Sequence, residues 1–105
     1  MKKIELIKEL SLPESTSNKI KLRKKIFIEK SKVKQFAVQL EIEQDNKFKP
    51  IIRFDAYHGF VHKDEFFKNR PKKKTKIAIE NLKEAVDLAE KDLLENLEMY
   101  VRRFE

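Results

Sequence analysis

Cysteine and tryptophan are absent from this chain, and glycine occurs once, at Gly59. Without cysteine there is neither a disulfide framework nor a thiolate metal site, a composition suited to a reducing cytoplasm. A single glycine excludes the glycine-rich phosphate loops of nucleotide-binding folds and the nucleophile elbow of serine hydrolases. No apolar run approaches the roughly 20 residues of a membrane span, and Glu5, Lys8 and Glu9 interrupt the N-terminal segment where a secretory signal would be apolar. The expectation is a soluble, unprocessed, cytoplasmic protein with no membrane partner. Its 105 residues fit one domain, 1–105, which on folding buries only about two-thirds of the unfolded chain's surface. The core should be thin, and a homodimer would extend it.

What the chain has in abundance is charge. Charged residues make up 41% of it, with a net charge of +7. The Lys- and Glu-rich balance is as much the signature of a hyperthermophile surface as of a nucleic-acid ligand. Distribution separates the two better than the total. Residues 80–105 hold eight acids and four bases, net −4, so residues 1–79 carry +11. The positive charge concentrates in two stretches. One runs from Lys19 to Lys34 and includes Lys21, Arg23, Lys24 and Lys25; the other runs from Lys68 to Lys76 around Pro71 and includes Arg70, Lys72, Lys73 and Lys74. Either stretch can follow a phosphate backbone; each can also be a solvated face.

Hydrophobic spacing predicts an α+β fold: an antiparallel sheet of about four strands packed against one long C-terminal helix. The first twelve residues leave helix and strand open, because Ile4, Ile7 and Leu10 are spaced for a helix while Leu6 and Leu12 blur the period. Residues 13–18, Pro13 to Asn18, are turn chemistry and the candidate linker. A strand should run from Ile20 to Glu29. From Phe36 the alternation is clean, with Phe36, Val38, Leu40 and Ile42 on the core face and Gln39, Glu41 and Glu43 on the other. Gln44 to Lys47 makes a hairpin loop, and Ile52 and Phe54 resume the buried face of the returning strand, with Arg53, Asp55 and Tyr57 opposite. Pro50 marks that strand as an edge or as bulged near its start. A further strand is expected at Thr75 to Ile79. Leu82, Val86, Ala89, Leu93, Leu97, Tyr100 and Phe104 form one helical stripe, opened by an Asn81–Glu84 capping box and closed by Arg102 and Arg103.

Chemistry concentrates between Arg53 and Asp64, the stretch with both histidines and the one glycine. Gly59 implies a positive φ or a close approach that a side chain would block. Arg53 has an ordinary alternative role, pairing across the hairpin with Glu41. His58 and His62 support two schemes. As an acid/base pair they would move protons between a ribose 2′-hydroxyl and a leaving 5′-oxygen, with Arg53 stabilising charge on phosphorus. Alternatively, His58 and His62 with Asp64 or Asp55 would bind a divalent metal, although the helical HxxxH geometry of zinc proteases is at odds with a glycine between the histidines. Two histidines making ordinary hydrogen bonds is the third reading.

The run Arg53-Phe54-Asp55-x-x-His58-Gly59-x-x-His62-x-Asp64, followed by a basic loop, a short strand and a C-terminal helix, resembles a family of small uncharacterised prokaryotic proteins with an R-[FY]-D-x-x-H-G-x-x-H-x-D motif. More distantly it resembles the TumE-type toxins of toxin–antitoxin modules. The likeness extends over about residues 36–104 and implies a shared site of Arg53, Asp55, His58, His62 and Asp64. The expected function is a toxin-like, RNA-directed phosphodiesterase with RNA and an antitoxin or other protein as partners and no resident cofactor. In it His58 and His62 form the acid/base pair, Arg53 the electrophile, and Asp55 or Asp64 orients a histidine. The alternative is a non-catalytic nucleic-acid-binding or protein-interaction module.

Overall fold

The computed structural model describes residues 1–11, 19–56 and 59–104; the Pro13–Asn18 turn expectation, and Tyr57 and His58, lie outside them. The elements are β1 (Lys2–Leu10), β2 (Ile20–Glu29), β3 (Lys32–Gln44), β4 (Lys47–Asp55), β5 (Val61–Glu65), β6 (Lys73–Ile77), α1 (Leu82–Glu95) and α2 (Leu97–Phe104). The strands lie in one sheet in chain order, each antiparallel to the next. The expectation of about four strands against one long helix is therefore corrected to six strands and two short helices.

Each departure has a local cause. The ambiguous N-terminal segment is a strand because β2 offers it a full-length partner, with Lys2 opposite Ile28 and Leu10 opposite Ile20. β5 is five residues long, and four of them are charged or histidine. It carries no hydrophobic alternation to read, and pairing with β4 on one side and β6 on the other creates it. The last strand is Lys73–Ile77 rather than Thr75–Ile79. The helix breaks at Asn96, whose N–H and side-chain amide both donate to the Asp92 carbonyl at 3.0 Å. An asparagine that bonds backward in this way competes with the next helical turn.

Phe36, Val38, Leu40 and Ile42 are fully buried on one face of β3, beneath Ala85, Val86, Ala89 and Leu93 of α1. α2 continues the cover over β4 with Tyr100, Val101 and Phe104. At the start of α1 the Asn81 carboxamide oxygen accepts the Glu84 N–H at 3.0 Å, the backbone half of the expected capping box. No helix of the described residues is long and apolar enough to cross a membrane.

Two of the two-residue hairpin turns are made without glycine, by Lys30-Ser31 and Asp45-Asn46, all at positive φ. Between the β3 and β4 strands that the second turn joins, the register shifts. Glu41 faces Pro50 but Leu40 faces Ile52, leaving Ile51 as an extra residue. This is the bulge that Pro50 announced, and β4 is an internal strand, not an edge. Its consequence is large, because a one-residue slip inverts every side chain downstream. Without it Arg53 would face Val38 on the core side. With it, Ile52 and Phe54 enter the core while Arg53 and Asp55 face away from the helices.

A polar knot ties the helices to the sheet. Lys63 donates to the Tyr100 hydroxyl at 2.7 Å, and that hydroxyl donates to the Asp92 carboxylate. Burial, then the bond to Asp92, raises the Tyr100 phenol well above its usual value. Because the folded pKa lies above the unfolded value of about 10, the stabilisation is complete below that pH and is lost as pH rises toward the folded value. In an alkaline titration of phenolate absorbance, Tyr100 is expected to ionise only as the protein unfolds, and Tyr100→Phe should abolish that late component.

Candidate active site on the polar face of the sheet

The face of the sheet turned away from the helices is built from alternate residues of successive strands. Across it, Arg23 of β2 stands opposite Gln39 of β3, Gln39 opposite Arg53 of β4, and Arg53 opposite Asp64 of β5. The neighbouring row runs Lys25, Ala37, Asp55, His62 and Lys76. Between these rows lies a cleft of about 280 Å³, lined by Arg23, Lys25, Ala37, Gln39, Arg53 and Asp55.

Hydrogen bonds fix the cleft walls. Arg53 Nε donates to Gln39 Oε1 at 2.7 Å, and the Gln39 amide donates in turn to Glu41. Glu41 is taken by Arg23, at 2.9 and 3.4 Å, so the expected pairing of Arg53 with Glu41 is corrected: the bulge places Gln39, not Glu41, opposite Arg53. The bond to Glu41 also raises the Arg23 guanidinium above its usual value, keeping it charged. Arg23 is largely occupied by that carboxylate. Arg53 forms no ion pair among the described residues, and its guanidinium sits 5.4 Å from the Phe66 ring centroid.

The acidic end of the face holds three buried side chains. His62 Nε2 lies 2.9 Å from Asp55 Oδ1, with both side chains more than nine-tenths buried. Asp64, two residues along β5 on the same face, is 4% exposed. One ligand atom from each of Asp55, His62 and Asp64 falls within 4.8 Å of the others. Gly59, just before β5, has φ +83°, and an added Cβ there would meet nothing within 4 Å. Backbone conformation, rather than a close approach, requires the glycine.

The structure thus brings Arg53, Asp55, His62 and Asp64 onto one face; His58 lies outside the described residues. The basic residues divide. Lys21, Arg23, Lys25 and Lys74 share the polar face by alternation, whereas Lys24 turns to the other side and bonds Glu90 of α1 at 2.9 Å. Lys73 stands opposite Glu65 on the helix side. Arg70 lies over the Phe67 ring at 3.9 Å, and Lys72 Nζ is 3.7 Å from Asp64. Sequence reasoning missed two participants. Gln39 positions Arg53, and Phe60, 41% exposed, stands 5.4 Å from His62 and 5.2 Å from Lys76 Nζ. An aromatic directly after the one glycine was the available signal for Phe60.

Residues 1–105 match the family model described as a domain of unknown function, DUF7718. The chain belongs to the DUF7718 family. No curated protein and no solved structure matches this DUF7718 domain.

Proposed function

We propose that the DUF7718 domain is an RNA-directed phosphodiesterase that works on the polar face of its sheet. The observation that carries this reading is the juxtaposition, along one cleft, of Arg53, a guanidinium with no carboxylate partner among the described residues, and the buried cluster of Asp55, His62 and Asp64. Arg53 and Lys25 would hold a backbone phosphate. Phe60 beside Lys76 offers an exposed ring on which a base can stack. In the reaction, the ribose 2′-oxygen bonds to phosphorus as the bond from phosphorus to the 5′-oxygen breaks. The acidic cluster takes the 2′-proton, and the leaving 5′-oxygen takes one from solvent, giving a cyclic phosphate and a free 5′-hydroxyl.

The test is incubation of the full chain with end-labelled single-stranded RNA, with and without divalent cations, alongside binding measured across a salt series. Cleavage to cyclic-phosphate ends, together with affinity that falls steeply with salt, is the expected result. Binding without cleavage would replace this reading with the non-catalytic one, for which Phe60 and Lys76 speak. Salt-indifferent behaviour with no cleavage would remove both.

A further inference from the structure

Four acids on the described strands are buried to 95% or more in the fold: Asp55, Asp64, Glu41 and Glu65. The protein neutralises two of them in the ordinary way. Glu41 receives the Arg23 guanidinium at 2.9 Å, and Glu65 receives that of Arg103 at 2.8 Å. Among the described residues the other two pair with no arginine. Arg53 stands directly opposite Asp64 in the register, yet its side chain bonds Gln39 instead. Asp64 has only the half-exposed Lys72 at 3.7 Å, and its Oδ1 is buried with no hydrogen bond among the described residues. A buried carboxylate oxygen left in that state is expensive, and a second carboxylate close by compounds the cost.

We propose that Asp55, His62 and Asp64 form a binding site for one divalent transition-metal cation. The sheet register supplies the geometry. His62 is the cross-strand partner of Asp55, and Asp64 projects from the same face two residues on. Their ligand atoms lie within 4.8 Å of one another. Ligands held about 2.0–2.2 Å from a common ion lie about 3–4.4 Å apart, so side-chain shifts on the order of 1 Å close the set. Neighbouring internal strands, rather than a loop, carry all three groups, which limits the ordering cost of binding. The ion would satisfy the Asp64 oxygen and offset both carboxylates at once.

The donor set selects the ion. One imidazole and two carboxylates, without a thiolate, suit Mn²⁺, Fe²⁺ or Zn²⁺ better than copper(I) or an all-oxygen calcium site. Asp55 also lines the cleft beside Arg53, so a water on the ion would face the place assigned above to the phosphate. Ionised to hydroxide by the cation, it would take the 2′-proton in place of a bare side chain and return to water. That catalytic role rests on the phosphodiesterase reading; cation binding does not.

Titration of the full chain with Mn²⁺ alone and with Zn²⁺ alone, by calorimetry and by loss of the free Mn²⁺ resonance signal, tests the site without RNA. One ion per chain is expected, with affinity falling at least about tenfold in Asp64→Asn and in Asp55→Asn. Glu65→Gln, on the helix side, should bind as the parent does. At equal metal concentration the melting temperature of the parent should rise clearly more than that of Asp64→Asn. Failure of the parent to take up either ion stoichiometrically would overturn the proposal whether or not the variants fold, as would undiminished affinity in a folded Asp64→Asn. Stoichiometric uptake without RNA cleavage would keep the cation site and discard the phosphodiesterase reading.

Discussion

Phe36→Ala is expected to lower the unfolding free energy by about 3–5 kcal/mol. Phe36 is fully buried at the centre of the sheet, opposite Ile26 of β2. Truncation removes the largest fully buried side chain and leaves a cavity between strands already fixed by their hydrogen bonds, so the site has little freedom to collapse. Domains of this size are stable by about 5–15 kcal/mol, and the loss is a large share of that. Urea denaturation would show a much lower midpoint with an unchanged slope. Ile26→Ala, at a half-buried position, should cost clearly less. Similar losses at the two positions would mean that the core is not centred on β3.

Arg53→Ala should reduce RNA cleavage about 100-fold or more, the usual cost of removing a donor aimed at developing charge. The protein should stay folded, because among the described residues the side chain's hydrogen bond runs to Gln39. Lysine at that position is not expected to restore the rate, since an ammonium cannot both hold Gln39 and present a fork to a phosphate. Arg23 gives the informative contrast. Its guanidinium serves the buried Glu41, so Arg23→Ala should leave that carboxylate with the Gln39 amide but no cation, and cost stability, about 1–3 kcal/mol. Single-turnover cleavage and thermal melting of both variants separate the two effects. Cleavage in Arg53→Ala within threefold of the parent would move the reaction away from this cleft.

Much of the site was legible because a strand's period of two is visible in its residues. Phe36, Val38, Leu40 and Ile42 announced the core face. Ile52 and Phe54 against Arg53 and Asp55 announced which groups would face the other way, and Pro50 marked the bulge that makes that phase correct. The one glycine, Gly59, marked the positive φ before β5. β5 was not legible, because Val-His-Lys-Asp-Glu has no hydrophobic rhythm and becomes a strand only between two partners. Nor was the helix break at Asn96, since the apolar stripe from Leu93 to Phe104 continues across it.

By itself, the sequence determined the alternating strands, the amphipathic C-terminal stripe, the charge imbalance and the small set of residues able to do chemistry. These are local properties, written in spacing and composition. Only the tertiary structure decided which charges meet. Register across four strands gave Glu41 to Arg23, gave Arg53 to Gln39, turned Lys24 toward Glu90 and set Asp55, His62 and Asp64 together. Pairing between residues far apart in the chain depends on strand order and on the register shifts in the β2–β3 and β3–β4 hairpins, and one residue of slip would have exchanged the core face for the polar one.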